Sequence, residues 1–236
     1  ESQSAHMAHE LLAGEIAIAE RRGKWGDAAR LYQRQISDQP KNAVLRDRFA
    51  MALFRDGQVQ TAFDQFDIAH LQGKDMNPPE VSMAVMYVRS GDFRKADEWF
   101  AKALKAYPND AKVHLERSIA LLYQDRADEA DADAAKAAEL GLRAPVLSMQ
   151  RGMVAMQQGD WSTAAGHFRS LLAESPDNVG AMSKLALSLV EQNDVSKRKE
   201  ALKLAERAGE LAPNSAEVVA TLGWVRAKNG DGESAG

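Results

Sequence analysis

Proline recurs in this chain at a fixed interval: Pro40, Pro108 and Pro176 are each 68 residues apart, twice 34. Twelve residues before each proline stands an alanine (Ala28, Ala96, Ala164), and Ala62 and Ala130 fill the half-period positions. Tyr32, Phe100 and Phe168 precede the prolines by eight residues, with Phe66 between. Ala201, twelve before Pro213, continues the series after a slip of three residues. A period of this length is the mark of stacked structural units, each burying its apolar face against the next.

Within each unit the apolar residues follow helical spacing in two blocks joined by a short turn. The turns read Gly23-Lys24-Trp25, Asp56-Gly57-Gln58, Ser90-Gly91-Asp92, Gln158-Gly159-Asp160 and Asn229-Gly230-Asp231. Glycine there tolerates positive φ and ends the first helix. Composition agrees: the 236 residues include 41 alanines but only 15 aromatics and 7 prolines, which favours closely packed helices over a sandwich or barrel. The length is ample for a core without staples. The chain has no cysteine, which removes disulfides, thiolate metal sites and cysteine nucleophiles but leaves the compartment open. A net charge of −4 supplies no strongly basic field for nucleic acid, and no apolar run approaches the length of a membrane span.

These residues resemble the tetratricopeptide repeat family over nearly the whole chain, from about Ala8 onward. That family places small residues at positions 8, 20 and 27 of a 34-residue unit, an aromatic at 24 and proline at 32. The units read 9–42, 43–76, 77–110, 111–144, 145–178 and 179–215, with a partial seventh over 216–236. Position 8 is Ile16, Ala50, Ala84, Ser118, Gly152, Ala186 and Gly223; position 20 is alanine in all six full units. Small residues there let the two helices of a hairpin touch, with the position-24 ring beside them. The resemblance implies an all-α, right-handed solenoid, one continuous domain over 7–236. Residues 1–6 read as a tag remnant, because Gln3-Ser4-Ala5-His6-Met7 has the look of a cleavage and cloning scar.

Some details depart from the pattern. The sixth unit has 37 residues, and its extra three, between Asn193 and Ala201, are expected to lengthen the turn. The seventh stops just after Ala235, so its second helix is missing and a longer parent protein is expected. Trp25, Phe93 and Trp161 mark position 17 of the odd units only, and the even units stop with Gly73 and Gly141 instead of proline, which suggests a doubled ancestral repeat. Unit four has Ala134 in place of an aromatic, Arg117 at an ordinarily apolar position and Asp125 in place of the turn glycine.

Little in the sequence points to chemistry. The five histidines lack the spacing of converging metal ligands, so no metal and no cofactor is expected. Asp125, Asp128, Glu129, Asp131 and Asp133 read as the solvated, dipole-favoured start of a helix. Lys197, Arg198 and Lys199 read as a solvated loop, and Gly230-Asp231-Gly232 as a repeat turn. No serine–histidine–acid arrangement stands out, and the chain reads as no enzyme.

The informative surface is the concave one. In proteins resembling this one, positions 2, 5, 9, 12 and 13 of the first helices face a groove. Here they supply Met51, Phe54, Arg55, Val81, Val85, Val88, Arg89, Leu115, Ile119, Leu122, Tyr123, Met149, Met153 and Met156. The expected function is a non-catalytic scaffold or adaptor that takes a peptide or helix of a protein partner on this apolar stripe. The competing reading is that the stripe only packs against neighbouring helices. A further alternative is an accessory or oligomerisation module of a larger enzyme, envelope or secretion protein. Capture of a C-terminal carboxylate is disfavoured, because Ala13, Ala17, Pro78 and Ser82 stand where the family's clamp residues would be and only Arg48 is compatible. Neither nucleic acid nor membrane insertion is expected; a homo-oligomer is compatible with the sequence.

Overall fold

Thirteen helices and no strand make up the described residues, 2–192 and 194–230 of the computed structural model. They fall into two compact units, those up to Pro108 and those from Asn109 onward. The first holds α1 (Ser2–Arg21), α2 (Trp25–Asp38), α3 (Ala43–Arg55), α4 (Val59–Gln72), α5 (Pro79–Ser90) and α6 (Phe93–Ala106). The second holds α7 (Ala111–Leu122), α8 (Ala127–Glu139), α9 (Ala144–Gln157), α10 (Trp161–Glu174), α11 (Val179–Val190), α12 (Val195–Leu211) and α13 (Ala216–Asn229).

Consecutive helices pair as hairpins, and the alanine series sits where they meet. Ala28, Ala62, Ala96, Ala130, Ala164 and Ala201 are all fully buried. So are the rings of Phe66, Phe100 and Phe168, or very nearly. The closeness is greatest at Gly152, where a Cβ would stand 2.6 Å from Cε1 of Phe168. In the fifth repeat the ring at position 24 therefore occupies the room a side chain at position 8 would need. In the first unit one core runs from Leu12 and Ile16 through Phe49, Leu53 and Phe66 to Met83 and Met86. In the second, Ala164, Phe168, Leu185, Leu189 and Val225 form the largest cluster.

Turns repeat as closely as the core. Gly23, Gly57, Gly91, Gly159 and Gly230 all have φ between 67° and 92°. Asp125 takes the same left-handed conformation, φ 58°, at the corresponding position of the fourth repeat. The turn geometry is thus retained without glycine, as aspartate tolerates this region better than most residues. Gly141 also has positive φ, whereas Gly73 is extended at φ −133°. Gly73 is needed for space instead: a Cβ there would stand 2.8 Å from Cβ of Ala43.

Two expectations need correction. The three extra residues of the sixth repeat do not lengthen its turn. They add to α12, which has 17 residues where the other second helices have 13 or 14. Asp194 caps it, its carboxylate accepting from the backbone N–H groups of Ser196 and Lys197. Lys197, Arg198 and Lys199 are consequently helical, not a loop. Asp133 is the second correction: it is buried, 3% exposed, while Asp125, Asp128 and Glu129 stay exposed. Ala235 and residues 231–232 of the Gly230-Asp231-Gly232 turn lie outside the described residues, as does Glu1, whereas Ser2 to His6 belong to α1.

Candidate functional site

Each unit carries its own share of the predicted surface. In the first, Met51, Phe54, Val85 and Val88 are half-buried on α3 and α5, and Arg55 and Arg89 are exposed at the ends of those helices. Phe54 packs edge-on against Tyr87, ring centroids 4.9 Å apart. Arg55 stacks its guanidinium 4.3 Å from the centre of the Trp25 ring, and Nη1 of Arg89 lies 4.0 Å from Sδ of Met51. A cleft of about 420 Å³ is lined by Glu20, Arg21, Trp25, Tyr32, Arg48, Met51, Ala52 and Arg55. Another of about 470 Å³ lies between α1, α2 and α3, lined by Ala13, Ile16, Ala17, Tyr32, Gln35, Arg48 and neighbours. Its α2 wall is invisible to a reading confined to first helices.

The polar groups of the first unit bear the marks of this enclosure. Tyr32 donates its hydroxyl to Glu20 at 2.8 Å, and burial followed by that carboxylate pushes the phenol above its ordinary range. Burial raises Asp47 above the usual carboxylate value, opposed by the nearby charges of Arg89 and Arg48.

In the second unit Ile119, Leu122, Tyr123, Met153 and Met156 come together, with Gln150, Gln157 and Trp161, around a cleft of about 430 Å³. Tyr123 is 73% exposed. Gln157 is oriented by donating Nε2 to the Leu122 carbonyl and to Oδ1 of Asp125. Met149 is half-buried against the core beside Met153 and Met156. Not every predicted residue reaches a surface: Val81 is fully buried, and Leu115, 9% exposed, packs with Ala137 and Leu147. At these two positions packing against neighbours accounts for the apolar character.

Behind the cleft lies a polar network that the sequence does not announce. Asp133 accepts from Arg117 through both carboxylate oxygens, and its Oδ1 lies 2.9 Å from Nδ1 of His114. Arg117 is therefore accommodated at an apolar position because an acid on α8 faces it. Ser118 donates to the Ala130 carbonyl and accepts from Nε2 of Gln150. Its hydroxyl proton is thereby committed to the backbone, away from His114, and the group braces α7 against α8 and α9 without forming a nucleophile relay. Among the described residues no three of His, Asp and Glu gather as metal ligands, and no helix is long and apolar enough to cross a membrane.

No curated protein matches the sequence. Residues 149–216 match the tetratricopeptide repeat family. Yeast Tom70 superposes with a TM-score of 0.69 at 16% identity, over 88% of this chain. The chain has the tetratricopeptide-repeat fold. A tetratricopeptide repeat protein of Parabacteroides merdae shares it at TM-score 0.63 and 16% identity, over 96% of this chain and 89% of that one. YrrB, described as a tetratricopeptide repeat protein with an unusual peptide-binding site, does so at TM-score 0.54 and 19% identity, over 82% and 98%. This tetratricopeptide-repeat chain spans 44% of the Tom70 chain. Its fold class is one that generally mediates protein–protein interaction.

Proposed function

We propose that the chain is a non-catalytic interaction scaffold that binds a peptide or helix of a partner protein on the apolar faces of its first helices. The observation that carries this is the methionine-lined cleft of the second unit. Ile119, Leu122, Met153 and Met156 are held partly open to solvent beside an exposed tyrosine and a half-buried tryptophan. Apolar area left accessible in this way is a cost unless something covers it. Flexible thioethers suit a surface that closes on a side chain from outside. The peptide-binding site described for YrrB, on the same fold, supports a ligand of this class.

The test is the double variant Ile119→Glu with Met153→Glu. Partners captured by the parent and identified by mass spectrometry are expected to be absent from the variant, while its helical circular dichroism stays at the parent value. Capture that persists in the folded variant contradicts the proposal. A variant that unfolds shows instead that these side chains serve packing.

A further inference from the structure

The scaffold reading leaves the partner's chemistry open, and the first unit narrows it. The thirteenth residues of its three repeats are Arg21, Arg55 and Arg89, one arginine on each of α1, α3 and α5 at intervals of 34. All three are exposed, and so is Arg48, which lines one cleft together with Arg21 and Arg55. In the second unit the corresponding residues are Tyr123, Gln157, Glu191 and Lys228, so the basic row is confined to the first. It stands out further against a chain whose net charge is −4.

These guanidinium groups are held but not neutralised. Arg55 rests on the Trp25 ring and Arg89 against Met51, and neither has a carboxylate within ion-pair distance among the described residues. Two acids lie nearby. Glu20 accepts the Tyr32 hydroxyl, and half-buried Asp47 faces Arg48 and Arg89. An aromatic or thioether support fixes a guanidinium plane while leaving its donor edge available. That edge is the fork that carboxylates bind in bidentate fashion. Met51 lies in the cleft with Arg21 and Arg55 and against Arg89, and the half-buried Phe54 and Val88 stand next to Arg55 and Arg89 in the chain. Successive first helices meet through side chains, as Phe54 of α3 meets Tyr87 of α5 and Met51 meets Arg89, so their axes lie at or beyond the roughly 10 Å of close helix packing, a span that about three residues or more of an extended chain cover.

We propose that the first unit takes an acidic segment of a partner protein, with glutamate or aspartate side chains on the row Arg21, Arg55 and Arg89 and apolar side chains between them on Met51 and Phe54. This rests on the scaffold reading above. The carboxylates are side chains and not a chain terminus. Acidic protein is favoured over nucleic acid because the cations are few and stand beside apolar side chains, in a chain of net charge −4, and form no continuous basic track.

The probes are two acetylated, amidated 15-residue peptides with leucine and alanine between five glutamates at every third position; in the second peptide glutamine replaces every glutamate. Fluorescence anisotropy with the full chain is expected to show the acidic peptide binding at least tenfold more tightly. The advantage should vanish in Arg55→Glu with Arg89→Glu, fall in the milder Arg55→Gln with Arg89→Gln, and increase in Asp47→Asn. Circular dichroism confirms that each variant is folded. Equal binding of both peptides overturns the acidic inference while leaving the scaffold reading standing. An advantage that survives charge reversal in a folded variant overturns it as well, as does failure of the acidic peptide to bind at millimolar concentration. Tighter binding of a 15-nucleotide single-stranded RNA than of the acidic peptide would assign the row to nucleic acid instead.

Discussion

Gly91 and Ala96 lie five residues apart and fail for different reasons when changed. Gly91 sits at φ 78° with open space where a Cβ would stand. Gly91→Ala is therefore expected to cost roughly 1–2 kcal/mol through backbone conformation alone, measurable as a shifted urea midpoint with an unchanged slope. Ala96 has ordinary helical geometry but no room. Ala96→Leu is expected to cost roughly 1–3 kcal/mol by overpacking, and a thermal midpoint equal to the parent's would contradict the register of the repeat. Asp133 is a third case. Removing it leaves Arg117 and His114 facing each other with no acid between, so Asp133→Ala is expected to cost about 3 kcal/mol, the lower end for a broken buried pair because Arg117 is one-third exposed. The sequence made the first two legible, since period and residue size are written in it. The third was hidden: an acidic run on a helix looks solvated until a cation on the neighbouring helix is seen to point at one member. Arg117, 16 residues away, was visible only as an anomaly.

Four helices, α6, α7, α10 and α12, start on an aspartate cap, and acid exposes this. Asp160 accepts from the Thr163 backbone N–H at the head of α10, Asp92 from that of Lys95 at α6, and Asp194 from the Ser196 hydroxyl and backbone at α12. Each is held below the usual carboxylate range by these bonds. A folded pKa below the unfolded one gives stability that is present above the unfolded value, about 3.9, and lost as pH falls through the folded one. Asp160→Ala should therefore lower the thermal midpoint at pH 7, with the difference shrinking towards pH 2. Asp47 has the opposite sign. Its raised pKa favours the fold at low pH and loses that contribution as pH rises. Asp47→Asn should accordingly raise the midpoint at pH 7 and change it little below the carboxylate range. Asp194 also explains α12. A slip from 34 to 37 residues shows in the sequence, but its place depends on where the helix is capped. An aspartate followed by Val-Ser-Lys-Arg-Lys-Glu, good helix formers in the main, favours added helix over added turn, and that cue outweighs the habit of lengthening turns.

At the scale of the whole molecule, each compact unit presents partly open first-helix residues backed by a fully packed row. Its floor and its exposed edge are harder to read than its repeat. Val81 and Val85 are chemically alike and four residues apart on α5, yet one is fully buried and the other half-open. Burial at such positions is set by side chains on neighbouring hairpins, which periodicity along one chain does not encode. Trp25 and Trp161 are visible in the sequence as position-17 aromatics, but their place in the cleft walls is not, because they come from second helices and the groove positions belong to first ones. The arginine row, by contrast, is plain in the sequence once the 34-residue register is fixed. The most direct test of the account is hydrogen exchange on the chain with and without a captured partner. It predicts slowed exchange in the first helices α3, α5, α7 and α9, around Met51, Val85, Ile119 and Met153, and little change in the second helices α4, α6 and α8. Protection confined to those second helices would contradict it.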